Sequence, residues 1–495
     1  MMKCGLTNLF TLTLGTVMIC VLADVTAGEE YRFERKQDWE SWTFPRGALA
    51  QHEDGSIGLS RVYKDIDAAA DARDFLHVVK SSKEPIPGGI RVVGSGAATA
   101  ANVIDGRVDT WWQPDPDAAL QDRWVEVNLG RMVHATKIRL TFPDTMGVRP
   151  FRNFSVYTND GERATAARDV FQFTRIGRTT EPNQAKVVEY NLFTLDPGPA
   201  EGDHLNMSDT LHFAAVQYVR FKAEDLYPES ALAGIEVVAI GDNLALGSVS
   251  RGGGVRAGSN VNNSAAFSDG DHNTKWIATG TGSWEDEGHY FEWDLGAVYW
   301  LDRMVIEYGH PWGRPQLKEV EVSTSDGSPA AGLTAARVRS NFDYQLLTVV
   351  NANRSPVRHL YDLNFPPRKA RHIFYRNTKT DDDGGWIWYM MFEYAIYGDG
   401  YVAEVEMVSD FIDLGGTKSI RRLSWDGELP VGTYVEIRSQ TGDTFFIEKK
   451  FYHKNGIEVT EAQYNKLPKS QKLPVVELRR RGSDWSGWSP IYIDR

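Results

Sequence analysis

"GGGVRAGSNVNNSAAFSDGDHNTKW" (252–276) has a counterpart upstream, "GGIRVVGSGAATAANVIDGRVDTWW" (88–112). Gly94-Ser95, Asp105-Gly106, Thr110 and Trp112 answer Gly258-Ser259, Asp269-Gly270, Thr274 and Trp276, each displaced by 164 positions. The correspondence continues downstream. "WVEVNLG" (124–130) answers "YFEWDLG" (290–296), and "VYTNDG" (156–161) answers "VSTSDG" (322–327), both displaced by 166. "IEVVAIGD" (235–242) answers "FEYAIYGD" (392–399), displaced by 157. Matches in one order at nearly one offset define a duplicated domain, with a period too long for a solenoid.

The repeating unit reads as β-strand. In "HATKIRLTF" (134–142), Ile138, Leu140 and Phe142 alternate with Lys137, Arg139 and Thr141, a half-buried period of two. In "WLDRMVIEY" (300–308), Met304, Ile306 and Tyr308 alternate less cleanly, because Val305 lies between them. That looser pattern predicts a strand partly covered on both faces. Gly, Pro, Asn and Asp clusters separate the runs. Helical periodicity is weak, and a short helix is expected only at 63–75, "YKDIDAAADARDF". Duplicated all-β units predict two sandwiches.

Residues 1–27 read as a secretory signal: Lys3 near the start, an apolar stretch from Leu6 to Ala23, and small residues up to Ala27. Both cysteines, Cys4 and Cys20, fall inside it. The exported chain would therefore have no disulfides and must hold itself by burial, helped by metal if any binds. No integral membrane segment is expected after signal removal. Location is read as secreted, periplasmic or cell-surface-associated. The formal charge of −13 disfavours nucleic acid and anionic membrane as partners. It does not oppose glycans, cations or basic proteins.

On these residues, both repeats resemble the discoidin domain, also called coagulation-factor type C (F5/8 type C). It belongs to the galactose-binding-like jelly rolls, a group that includes many bacterial carbohydrate-binding modules. The resemblance is carried by the run into Asp-Gly, Thr five and Trp seven residues after that Asp, the Leu-Gly strand, and Glu in the last strand. It implies all-β architecture: two tandem jelly-roll β-sandwiches at 85–243 and 244–400. A leader at 28–84 is expected to pack on the first roll. Residues 401–495 are expected to form a C-terminal fibronectin/Ig-like β module with few closing strands. There "SIRRLSW" (419–425) and "GTYVEIRSQTGD" (432–443) read as strands, and Arg479, Arg480 or Arg481 can stack on Trp485 or Trp488 of "DWSGWSP".

The repeated loop has chemistry of its own. Asp, Thr, loop carbonyls and a Glu from the last strand are hard oxygen donors, which suit Ca²⁺ better than Zn²⁺. The same residues also suit a metal-free turn, with Asp before Gly and Thr bonding the backbone. In the family such a loop often holds structural calcium. By resemblance the ligands are Asp105, Thr110 and Glu236 in the first copy, and Asp269, Thr274 and Glu393 in the second. Neighbours such as Asp271 contribute carbonyls. Trp112 and Trp276 read as core plugs. His272 stands opposite Val108 and drops out as a general ligand.

Family ligand sites lie in loops at one end of the sandwich. Sugar recognition needs an aromatic face beside polar groups. The second repeat is better equipped: Trp284 and His289, Trp312 and Arg314, and Asp382, Trp386 and Trp388 are the candidates, with packing as the alternative role for each Trp. In the first repeat the matching stretch is "EDLYPESAL" (224–232), where Ala231 stands for Trp388. Catalysis finds no motif: the eleven histidines make no H-E-x-x-H, and no G-x-S-x-G elbow occurs. The expectation is a non-catalytic protein that binds glycan or surface polysaccharide, with tandem modules raising avidity. The rival readings are a structural or cell-adhesion protein meeting envelope or matrix proteins, and an accessory binding part of a larger extracellular hydrolase.

Overall fold

The computed structural model describes residues 2–7, 29–78, 85–165, 168–195, 210–281, 289–309, 317–332, 339–351, 358–380, 386–429, 431–453 and 458–492. Its regular structure is almost entirely β-strand. No helix among the described residues is long and apolar enough to cross a membrane.

The first roll is organised around one long strand. Its strands are β1 (Gly89–Val93), β2 (Trp124–Thr141), β3 (Phe154–Asn159), β4 (Thr174–Arg178), β5 (Val187–Asn191), β6 (Ala214–Ala223) and β7 (Gly234–Ala239). The first half of β2 pairs with β1 and β6, the second half with β5, β6 and β7. The corner between the halves is Gly130, at φ 71°. Its N–H donates to the Asn128 side chain at 2.9 Å. A residue with a side chain is strained at that φ, so the Leu-Gly ending of the motif lets one strand turn a corner and take different partners in its two halves.

The second roll repeats this plan. Its strands are β8 (Gly254–Ala257), β9 (Trp276–Thr281), β10 (Tyr290–Gly309), β11 (Leu317–Ser325), β12 (Gln345–Asn351), β13 (Arg358–Thr380) and β14 (Trp386–Gly398). Gly296 turns the long strand β10 at φ 88°, and its N–H donates to Asp294 at 2.8 Å. Even the bulge recurs: the register shifts between Val156 and Tyr157 in β3, and between Val322 and Ser323 in β11.

Trp112 and Trp276 are fully buried plugs. Each indole N–H donates to the carbonyl of the repeated serine, Ser95 at 2.9 Å and Ser259 at 3.0 Å. This gives the Gly-Ser part of the motif a job: it satisfies a donor that burial would otherwise strand. Around Trp112 pack Phe151 and Phe221. Around Trp276 pack Phe267 and Phe291.

The loose alternation of β10 has a physical cause. Met304 and Ile306 face the core of the second roll. Val305 faces the other way and packs with Ala395, Tyr397, and Phe213 and Ile240 of the first roll. His134 of the first roll reaches the Tyr397 hydroxyl at 2.8 Å. Burial pushes His134 down to about 3, so it meets Tyr397 as a neutral ring. The two rolls thus share an apolar seam with a hydrogen bond at its edge.

The leader touches both rolls rather than the first alone. Trp42, Leu49, Leu59 and Val62 join the core of the second roll, while Ala68 and Ala69 join that of the first. The helix expected at 63–75 does not form; only Ala72–Asp74 makes a 3₁₀ turn. Asp67 competes for the backbone, accepting from the amides of Ala69 at 3.0 Å and Val237 at 2.9 Å. That ties the segment to β7 instead of to itself.

The C-terminal region contributes β15 (Glu404–Val408), β16 (Tyr434–Ser439), β17 (Phe445–Tyr452), β18 (Glu458–Val459) and β19 (Val476–Arg481). The backbone of Met2–Thr7 runs antiparallel between β15 and β16. Residues 419–425 are not a strand; they lie exposed without a ladder partner, so their β-propensity has no edge to act on. Arg481 lies over the Trp488 ring at 5.4 Å, one of the stackings expected there. Phe445, Phe446 and Ile447 in β17 are each about half exposed, although Phe411 stacks on Phe445 and Tyr464 packs on Phe451.

Candidate functional site

In both repeats the Asp-Gly turn places glycine in the left-handed region, Gly106 at φ 72° and Gly270 at φ 69°. The turn aims the aspartate back at the threonine five residues on. Thr110 Oγ1 donates to Asp105 Oδ2 at 2.7 Å. Thr274 Oγ1 lies 2.9 Å from both Asp269 oxygens, 2.9 Å from the Ala266 carbonyl and 3.0 Å from the Asp271 carbonyl. A hydroxyl has one hydrogen and can serve one of these four oxygens.

The third expected partner differs between the rolls. In the first, Glu236 is one third exposed and bound by Arg139 at 2.8 Å. It lines an open groove of about 380 Å³ with Asp65, Asp67 and Lys137. Asp105 is exposed and also accepts from the Arg107 amide at 2.9 Å. In the second roll Glu393 is fully buried. Its Oε1 has a long contact with Asn243 Nδ2 at 3.5 Å, and its Oε2 has no hydrogen-bond partner. Burial first, then Asp269, push its carboxyl well above the usual range.

Asp269 keeps accessible surface although the two rolls surround it, so it lies in a crevice. Loss of hydration there, and then Asp271, push its carboxyl up to about 7. The side chain of Asp271 is spent on Asn273, accepting its amide at 2.9 Å and its Nδ2 at 2.8 Å; only its carbonyl faces Thr274. Among the described residues there is no cluster of three or more His, Cys, Asp or Glu side chains that could hold a metal. The oxygens converging in the second roll are two carboxylates, one hydroxyl and two carbonyls. That donor set fits a hard cation, and the orphaned oxygen of Glu393 is the atom such a cation would satisfy.

The second loop also joins the rolls. His272, buried, has Nε2 at 2.8 Å from Glu307 Oε2 and Nδ1 at 3.3 Å from Asp160 of the first roll. Burial opposes its charge, but Glu307 and Asp160 outweigh it and hold the imidazole up at about 10. Asn273 donates to the Gly161 carbonyl at 2.8 Å and accepts from the Arg163 amide at 3.0 Å. The Gly270 carbonyl accepts from the Met132 amide at 2.8 Å. Sequence comparison discards His272 because its counterpart is Val108. That difference was itself the signal: a residue absent from the exposed copy serves the buried one.

The expected ligand residues are placed unevenly. Trp284, Trp312, Arg314 and Asp382 lie outside the described residues. Trp386 and Trp388 are on β14, paired through the backbone with Thr281 and Thr279. His289 is 6% exposed, a buried side chain rather than a surface one. Its carbonyl accepts from Asn377 at 3.0 Å.

The same end of the first roll is described, and sequence reasoning passed over it. Asp225, buried, accepts from the amides of Arg152 at 2.9 Å, Asn153 at 2.8 Å and Tyr227 at 3.4 Å. This fixes two loops against each other. Arg152 then lies over the Tyr227 ring at 4.7 Å, with Tyr227 42% and Leu226 59% exposed. Gln113 donates to the Pro228 carbonyl and anchors the same loop. The only clue in the chain was Asp225 two residues before Tyr227-Pro228.

No protein-family model matches the sequence, and no curated protein matches it. Solved structures do match at low similarity. CpGH89CBM32-6 produced by Clostridium perfringens is 18% identical, with 32% of this chain and 99% of that one covered and a TM-score of 0.22. Chitosan-binding module 2, in complex with chitotriose, from the chitosanase/glucanase of Paenibacillus sp. IK-5 is 13% identical, with 32% and 100% covered and a TM-score of 0.23. The CBM32-1 and CBM32-2 domains of Clostridium perfringens ZmpB are 14% identical, with 68% and 99% covered and a TM-score of 0.22.

Proposed function

We propose that this chain is an exported, non-catalytic carbohydrate-binding protein that recognises glycan at a cell surface or in extracellular matrix through the loop end of its jelly rolls. The observation that carries this reading is the Arg152–Tyr227 pair. The exposed part of the ring offers apolar surface for sugar C–H groups, and the guanidinium over it offers donors for hydroxyls. Buried Asp225 holds both loops, so little freedom is lost on binding. The direct test is a glycan array followed by polysaccharide pull-down with the full chain and with Tyr227→Ala. Sugar retention that falls at least about tenfold in the variant supports the reading. Retention of a purified envelope or matrix protein with no sugar bound would replace it with the adhesive reading.

Calcium belongs to the same proposal. In the second roll Asp269, Thr274, Glu393 and the carbonyls of Ala266 and Asp271 would hold it. A bound Ca²⁺ would supply charge neutralisation for two crowded carboxylates. In the first roll Arg139 competes for Glu236, so Asp105 and Thr110 form the weaker set. The protein's own residues do the rest: Thr274 fixes the loop, and Asn273 and His272 press it against the first roll.

A further inference from the structure

The outward face of the first roll carries a charge that the chain as a whole does not. Two adjacent rows cross the sheet β4-β3-β6-β2. One is Arg175, Tyr157, Arg220, Glu126, and the next is Arg178, Ser155, Lys222, Trp124. The second roll has the same strands, bulge and register. Its rows read Leu346, Ser323, Phe374, Glu292 and Val349, Glu321, Arg376, Tyr290. Arg175, Arg220 and Arg178 therefore stand where the duplicate has Leu346, Phe374 and Val349. The fold does not require these three arginines, since the second copy forms without them.

Part of this charge is already used. Glu126, buried, accepts from Arg220 at 2.6 Å and from Arg91 at 2.5 Å. Glu224 accepts from Arg178 at 2.8 Å and Ser155 at 2.5 Å. Five cations thus face two carboxylates, and Arg175 and Lys222 have no ion pair among the described residues. The guanidinium of Arg220 lies over the rings of Phe173 at 4.2 Å and Trp124 at 4.9 Å. Tyr157 and Trp124 are half-buried. A basic face with aromatic planes, in a chain of charge −13, is complementary to a polymer with both acid groups and flat apolar sugar faces.

We propose that this sheet face of the first roll binds an acidic polysaccharide, its uronate carboxylates meeting Arg175, Arg178 and Lys222 and its sugar rings lying on Tyr157. The site is separate from the Arg152–Tyr227 loop end. It adds a second, charge-selective subsite to a single module, which favours long chains over short sugars.

Affinity electrophoresis of the full chain in polygalacturonate, with calorimetric titration, tests this. Wild type is retained. Arg175→Leu with Arg178→Val, which installs the residues of the second roll, weakens binding at least about tenfold at unchanged Tm. Raising salt from about 0.1 M to about 1 M has the same effect. Arg175→Gln alone shifts affinity the same way and serves if the double variant misfolds. Tyr227→Ala leaves polygalacturonate binding intact, which separates this site from the loop end. Three results overturn the proposal: no retention of polygalacturonate, equal retention by folded charge variants, or retention that high salt leaves unchanged.

Discussion

At the scale of single residues, the duplicated carboxylates show how one position is spent in different ways. Glu292, buried on β10, accepts from Arg256 at 2.5 Å, the Ser340 amide at 2.8 Å, Ser340 Oγ at 2.9 Å and Tyr344 at 2.6 Å. Burial alone would raise its carboxyl, but Tyr344, Arg256 and Ser340 together hold it below the ordinary glutamate value. A group depressed on folding stabilises above its unfolded pKa, and that stability is lost as pH falls through the folded value. The melting temperature should therefore drop on acidification from about pH 5 to about pH 3, and Glu292→Gln should flatten that drop while costing about 1–3 kcal/mol at neutral pH. Melts across that range check it; an equally steep decline in the variant counts against it. Asp269 sets the second expectation. Chelation should lower the melting temperature of the wild type, and Asp269→Ala should remove that sensitivity. An unchanged melt with chelator would leave Thr274 with four acceptors and no cation to explain them.

At the scale of elements, the repeat made much of the fold legible. The Asp-Gly turn, the tryptophan plug and the Leu-Gly corner are local devices. Their residues must recur wherever the backbone makes the same turn, and one sequence compared with itself exposes them. The two-faced burial of β10 was legible too, since Val305 between Met304 and Ile306 spoils a clean period. The joint between the rolls was not legible. His272 and Asn273 meet Asp160, Gly161 and Arg163, more than a hundred positions away, and a comparison of repeats discards whatever is not repeated. The Arg152–Tyr227 pair was hidden for the same reason, since Asp225 must first bring two loops together. The helix expected at 63–75 failed through competition: Asp67 prefers the amides of Val237 and Ala69 to a helical turn. Replacing Asp67 with Ala should cost about 1–3 kcal/mol and raise protease sensitivity in the leader first, a pattern limited proteolysis can read.

At the scale of the whole molecule, the rolls are fused rather than strung. The seam around Val305, Ala395, Tyr397, Phe213 and Ile240 is apolar, and the leader is shared between both cores. Under the proposed function, a fixed spacing between ligand sites on the two rolls would favour a polymer whose repeats match it and penalise one whose repeats do not. The polar latch beside the seam would then set how strictly that spacing is held. Asp160 and Glu307 clamp His272 from opposite rolls, and removing one acid leaves a buried, half-paired imidazolium. Breaking a buried pair in this way costs about 3 kcal/mol, more than replacing it with apolar groups would. The intact chain should therefore unfold its two rolls in one calorimetric transition. Asp160→Ala with Asn273→Ala should split that transition into two, with the tryptophan environments of both rolls still native below the first. A single transition in the double variant would mean that the apolar seam and the shared leader couple the rolls without the latch, and that the latch only sets their register.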